Sequence, residues 1–223
     1  MTAADAPEPT TLASAWPVFG LRVRTARLEM RLPTDDELLA LIDVARAGIH
    51  PPDEMPFGVA WTDKPSPRFE REFLQHHWIM RASWTPDAWN CNLGIFLDGT
   101  PIGSQTIRAD RFAVFRTVDT GSWLGRPYQG RGYGKEMRAG ILAFAFDGLG
   151  ARYADSGAFV ENARSNGVSR SIGYVENGRD ALAPRGEPRT LQRWRMTEAA
   201  WRAVPRDPVA IEGLDACRDL FGA

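Results

Sequence analysis

Residues Gly121 to Gly150 read GSWLGRPYQGRGYGKEMRAGILAFAFDGLG, and this stretch sets the class of fold. Trp123 and Leu124 sit in a strand-like run ahead of a Gly-Arg-Pro turn. A glycine-rich loop follows, Gln129-Gly130-Arg131-Gly132-Tyr133-Gly134, and then a helix-periodic segment that stops at Gly148 and Gly150. A strand, a glycine loop and a helix start make an anion site, because the first N–H groups of a helix lack internal partners and its dipole is positive there. Glycines let that backbone approach a phosphate closely. Three patterns compete for the loop. A P-loop needs Gly-Lys-[Ser/Thr], but Gly134-Lys135 is followed by Glu136, which has no hydroxyl for magnesium. A dinucleotide fingerprint needs G-x-G-x-x-G, whereas Gly130, Gly132 and Gly134 are spaced two and two. The third pattern, Gln-x-x-Gly-x-Gly, is met by Gln129, Gly132 and Gly134. A tight strand-to-helix turn that binds nothing would accommodate the same residues.

The 223 residues suffice for one domain with a full core. A net charge of −1 offers no overall attraction to nucleic acid or to an anionic membrane surface. The opening MTAADAPEPTTLASAW has neither the basic nor the apolar region of a secretory signal and reads as a flexible tail over residues 1–15, leaving 16–223 as the domain. Cys91 and Cys217 are far apart, and His50, His76 and His77 are the only histidines, so no metal site is expected. A cytoplasmic location is expected.

Leu21 to Leu32 alternates as a strand interrupted at Thr25-Ala26, with arginines at 22, 24, 27 and 31 along it. Thr34-Asp35-Asp36-Glu37 is a capping box, which predicts a helix from near Asp35. Gly48 to Gly58 is a proline-broken loop carrying His50, Asp53, Glu54 and Phe57, suited either to lining a pocket or to connecting elements. Arg68 to Ser83 has helical spacing of Phe69, Phe73 and Met80, with His76 and His77 expected to pack or cap there. Asn90 to Leu97, Asp98-Gly99 and Thr100 to Arg108 predict a hairpin, since Asp-Gly is a favoured two-residue turn. Arg116 to Leu124 and Arg152 to Val160 read as strands, followed by a helix from Asn162 to about Ile172. A strand is expected to leave Gly173-Tyr174-Val175. Gly178 to Pro188 reads as a loop, Thr190 to Met196 as a strand, and Thr197 as an N-cap. The segment ending DACRDLFGA has weak helical spacing.

Taken together, these motifs resemble those of the GNAT family of N-acyltransferases, in the branch similar to ribosomal-protein alanine N-acetyltransferases. The resemblance rests on RTARLEMRLPTDDELLALI, on GSWLG with YQGRGYG and Glu136, and on Asn162-x-x-Ser165-x-x-Val168 followed by Gly173-Tyr174. It spans most of residues 20 to 196. Met55-Pro56-Phe57, the run Asp119-x-Gly-Ser-Trp-Leu-Gly125 and Leu220-Phe221-Gly222 are also similar to mycobacterial GNAT proteins described as succinyl-CoA transferases. The resemblance implies an α/β GNAT acyl-CoA N-acyltransferase fold, with a mixed, mostly antiparallel sheet flanked by helices. Acetyl-CoA or succinyl-CoA would be the co-substrate.

By the same resemblance, Trp123, Leu124 and Gly125 end a splayed strand whose free backbone pairs with the pantetheine arm. Gln129, Gly130, Arg131, Gly132, Tyr133, Gly134 and Lys135 would hold the pyrophosphate, and Asn162 would contact the arm. Ser165 would act as general acid at the sulfur. Asn162 and Ser165 also satisfy an ordinary helix cap without any ligand. The implied chemistry is attack of an amine on a thioester, which needs a base or ordered waters to deprotonate an ammonium. Asp119 is the candidate base; Asp155 and Glu161 lie nearby, and any of the three could be a solvated carboxylate. A succinyl donor would need a cationic partner for its carboxylate, for which His50 and the N-terminal arginines are candidates. The other reading is a non-catalytic acyl-CoA-binding sensor. The amine acceptor, a small molecule or a protein amine, and any homo-oligomer are left open.

Overall fold

The computed structural model describes residues 9–223, so the first eight residues of the expected tail lie outside the described part. Leu12–Ala15 forms one helical turn, α1, closed by a capping box between Thr11 and Ser14. Two short strands follow, β1 at Arg22–Arg24 and β2 at Leu28–Arg31, and they pair with each other antiparallel. The sequence suggested one interrupted strand here; the interruption is instead the turn of a hairpin. Thr25 makes it, with its Oγ1 accepting from the N–H of Leu28.

Helix α2, Asp35–Arg46, starts at the expected box, where Thr34 and Glu37 satisfy each other's backbone N–H. Helix α3 spans Arg68–Ala82. Strands β3, Ala88–Leu97, and β4, Thr100–Asp110, are joined by Asp98 and Gly99, both at positive φ as a two-residue turn requires. After the single turn α4, Phe112–Phe115, come β5 at Thr117–Leu124, α5 at Tyr133–Ala143 and β6 at Tyr153–Phe159. Helix α6, Ala163–Ile172, leads to β7, Val175–Leu182, and β8, Arg189–Thr197. Strand β7 corrects the loop expected from Gly178. A bulge between Glu176 and Arg179 carries the strand through that glycine, and its residues are all exposed, so no apolar alternation marks it. Helix α7, Glu198–Arg202, is capped by Thr197, and a three-residue strand β9, Ala210–Glu212, had no sequence signal.

Among the described residues, nine strands form one sheet, in the order β7-β8-β6-β5-β4-β3-β2-β1-β9. Every pairing is antiparallel except that between β5 and β6. Its two faces carry separate cores, and adjacent residues of β5 show this. Leu124 belongs to the larger core with α5, while Trp123 packs into a smaller one with Leu38 and Leu41 of α2 and Phe69 and Phe73 of α3. Helix α5 lies so close to the β1–β2 hairpin that a Cβ on Gly140 would stand 2.3 Å from Met30 Cε. Residues 218–221, expected to be weakly helical, form a 3-10 turn that buries Phe221 between Trp84 and Trp89.

Candidate active site

Strands β5 and β6 run side by side only from Thr117 and Tyr153 to Thr120 and Ser156. Beyond that point both continue, β5 to Leu124 against β4 and β6 to Phe159 against β8, without pairing to each other. A gap opens between two parallel strands. The N–H of Gly125 donates to Ile102 on the β4 side, and backbone direction alternates along a strand. Ser122 and Leu124 therefore turn their backbone groups toward the gap. Unpaired strand edges of this kind accept an extended chain as an added strand.

The glycine loop stands at the open end of the gap. Gly130 and Gly132 sit at φ 74° and 85°, which favours glycine there. Among the described residues nothing accepts from the N–H groups of Gly130, Arg131, Gly132, Tyr133 and Gly134; the first bonded ones are those of Lys135 and Glu136, both to Gly132 O. A Cβ on Gly130 or Gly134 would meet nothing within 4 Å, so the donors face open space at the positive end of α5. Arg131 and Lys135 are exposed there. Tyr133 instead stacks under Arg27, whose guanidinium carbon is 4.5 Å from the ring centroid. Glu136, the residue that excluded a P-loop, accepts from Thr25 Oγ1 at 2.6 Å and from Arg27 Nε at 2.7 Å. It anchors the loop to the β1–β2 turn.

Gln129 is placed as a brace. Its Nε2 donates to Leu124 O at 2.8 Å and to Ile49 O at 2.7 Å, and its Oε1 accepts from Arg164 of α6 at 3.2 Å. Asn162 caps α6, with Oδ1 accepting from the N–H of Ser165 at 3.1 Å. The Ser165 hydroxyl makes no hydrogen bond among the described residues and is half-buried beside the gap-facing end of β6.

On the α2–α3 face, a cavity of about 610 Å³ reaches Gly121, Ser122 and Trp123. Its walls are largely aromatic, with Trp61, Phe69, Phe73 and Trp123, and Thr106, Asn92 and His76 form a polar line across it. Thr106 Oγ1 donates to Asn92 Oδ1 at 2.6 Å, and Asn92 Nδ2 stands 3.2 Å from His76 Nε2. Asn92 can donate to His76 Nε2 or accept from it, according to the imidazole tautomer. Desolvation by its neighbours lowers the His76 pKa, although the side chain is accessible from the cavity. His77 differs: it is buried against Phe73, and burial lowers its pKa to about 3. Sequence spacing expected both histidines to pack, and only His77 does so fully.

Asp119 lies on the same face, one carboxylate oxygen 3.1 Å from Arg193 Nη2 and the other 3.4 Å from Arg108 Nη2. Asp155 is held by Arg195 at 2.6 Å, and Glu161 is paired with Arg189. All three carboxylates weighed as bases are therefore ion-paired.

A family model for the acetyltransferase (GNAT) domain matches residues 27–175, and the chain belongs to that family. Three solved structures illustrate the likeness. A Vibrio cholerae protein proposed to be a ribosomal-protein-serine acetyltransferase has 23% identity and a TM-score of 0.62 over 79% of this chain and 97% of its own. Mycobacterium smegmatis RimJ, solved with CoA-disulfide, has 18% identity and a TM-score of 0.64 over 91% and 94%. RimL, a ribosomal alpha-N-protein acetyltransferase solved with coenzyme A, has 15% identity and a TM-score of 0.60 over 78% and 95%. At these identities the likeness establishes the fold: a mixed sheet flanked by helices.

Proposed function

We propose that this protein transfers an acyl group, acetyl or succinyl, from its CoA thioester to a primary amine by direct attack on the thioester. The observation that carries the reading is the alignment of five unpartnered N–H groups at the start of α5 with the open edge between β5 and β6. A pyrophosphate fits the first and an extended pantetheine the second. Asn162 and the residues from Trp123 to Gly125 would flank the arm, and Arg131 and Lys135 would add charge at the phosphates. The acceptor would enter through the aromatic cavity, whose π faces suit an ammonium or an apolar stem.

In this reading an amine loses one proton before attack, its nitrogen bonds to the thioester carbon, and the C–S bond breaks. The backbone N–H of Leu124 would hold the oxyanion, and the free Ser165 hydroxyl would protonate the departing sulfur. Asp119 is the base proposed from the sequence; His76, on the cavity wall with its pKa lowered by desolvation, is the one the geometry adds. The rate–pH profile of turnover separates them. If His76 is the base, His76→Ala flattens the acid limb and Asp119→Asn leaves it in place; the reverse result assigns Asp119.

The ion pairing of Asp119 also keeps a sensor reading in play, in which acyl-CoA binds without turnover. Calorimetry with acetyl-CoA, succinyl-CoA and ATP, followed by turnover on a panel of amines, decides between them. Binding of a CoA ester with turnover supports the enzyme, binding without turnover on any amine supports the sensor, and no binding of either ester removes both.

A further inference from the structure

Arg138 stands in the second turn of α5 and is buried, with 5% of its surface exposed. Its Nη1 donates to Ser156 Oγ at 2.9 Å and its Nη2 lies 3.5 Å from Ser122 Oγ. Ser122 and Ser156 belong to β5 and β6, and Ser156 is in the last pair before those strands part. The guanidinium therefore sits at the vertex of the gap. Its Nε is buried with no acceptor, and no carboxylate among the described residues pairs with it. The Tyr174 hydroxyl, also buried, stands beside Thr120 and Arg138 without a well-formed hydrogen bond, and the tyrosine ring centroid is 5.8 Å from the Arg138 guanidinium carbon. A buried cation without a counter-ion is costly, and an anionic ligand group would offset that cost.

The cations expected from the sequence to meet an acyl carboxylate are engaged elsewhere. His50 donates from Nδ1 to Pro51 O and faces Thr62 Oγ1 with Nε2, both at 2.8 Å. Arg24 pairs with Glu29 and Glu212, Arg27 with Glu136, and Arg31 with Glu37 and Glu29, while Arg22 donates to Phe19 O and Leu21 O.

We propose that Arg138, with the Tyr174 hydroxyl, receives the free carboxylate of a dicarboxylic acyl-CoA, so that the donor is a succinyl-type thioester rather than acetyl-CoA. This rests on the acyltransferase reading, since it places the acyl end of the arm at the vertex. The carboxylate takes no part in bond making: the amine nitrogen replaces sulfur at the other carbonyl, one proton goes to the base and one to the CoA thiolate. The product carries an anion where the acceptor carried a cation.

Calorimetry of the full chain with succinyl-CoA, butyryl-CoA and CoA tests it. Succinyl and butyryl have the same number of chain carbons, and only the first ends in a charge. Succinyl-CoA is expected to bind about tenfold or more tightly than butyryl-CoA, as a buried charge-assisted hydrogen bond implies. Arg138→Leu is expected to bring that ratio near one, and Arg138→Lys to retain part of it. Equal affinities in the unaltered protein, or a ratio that survives Arg138→Leu, overturn the assignment. The unaltered protein alone decides the first point, so a variant that fails to fold does not spoil the test. If the esters bind without preference, only the role of Arg138 falls; if none binds, the acyltransferase reading falls with it.

Discussion

The two faces of the sheet where β5 meets β6 treat charge in opposite ways. Toward α2 and α3, Arg108, Asp119, Asp155 and Arg195 stand opposite one another across four neighbouring strands, the two carboxylates flanked by the two arginines, and Arg193 adds a second partner for Asp119. Toward α5 and α6, Arg138 has two serine hydroxyls and, among the described residues, no anion, and there the N–H groups beginning α5 have no acceptor either. Cross-strand neighbours find partners through pairing itself. Donors delivered from a helix to the place where pairing stops do not. Satisfied charge on one face marks architecture, and the proposed reading assigns the unsatisfied donors on the other to acyl-CoA.

Filling the unsatisfied donors should have the largest effect. Gly134→Asp places a carboxylate over the free N–H groups, in space where its Cβ meets nothing. CoA affinity measured by calorimetry should fall by about a hundredfold, while thermal unfolding stays level or rises slightly, since an acidic residue suits a helix start. Unchanged affinity would mean the loop holds no phosphate. On the paired face, Asp155→Ala strips Arg195 of its anion in a largely buried setting, where the carboxylate is 11% and the guanidinium 34% exposed. Urea unfolding should show a loss of about 2 kcal/mol.

The contrast sharpens with two leucine substitutions. Arg195→Leu orphans Asp155 and should destabilise by about 1–2 kcal/mol, whereas Arg138→Leu removes a buried unpaired charge and should leave the unliganded protein level or about 1 kcal/mol more stable. Equal losses in both would erase the distinction between the faces. A smaller effect belongs to Glu136. Burial pushes its pKa up, but hydrogen bonds from Thr25 and Arg27 outweigh this and hold it below the ordinary 4.5. A depressed carboxylate stabilises the fold above 4.5, and that stability disappears as pH falls through the lowered value. Glu136→Gln should therefore cost about 1 kcal/mol near pH 7 and progressively less below pH 4.5, read from urea curves at several pH values.

What the sequence discloses here is what is local. The Thr34 and Asn162 caps, the Asp98-Gly99 turn and the glycine loop depend on a few adjacent residues, and each stands where its spacing places it. The β1–β2 hairpin hides because Thr25-Ala26-Arg27 contains none of the usual turn residues, and β9 because three residues are too few for a period. The charge ladder is invisible because register alone brings Arg108 to Asp119. Arg138 left a faint trace: helical periodicity sets it among Met137, Ile141 and Leu142, all buried, where an arginine is out of place. Its lack of a partner could be seen only in three dimensions. His76 and His77 are adjacent in sequence, and only the packing of α3 decides which one faces the cavity.

The outer strand pair has a consequence for how the chain is made. Strand β1 pairs with β9, and Arg24 reaches Glu212 across 188 residues. The indoles of Trp84 and Trp89 donate to Leu220 O and Phe221 O. On a ribosome, an early strand and two tryptophans must therefore wait for residues made more than a hundred positions later. Until residue 221 has emerged, the nascent sheet has an open edge at β1 and an unfilled core beneath it. Closure of so long a loop is slow, and the waiting chain is exposed to association through that edge.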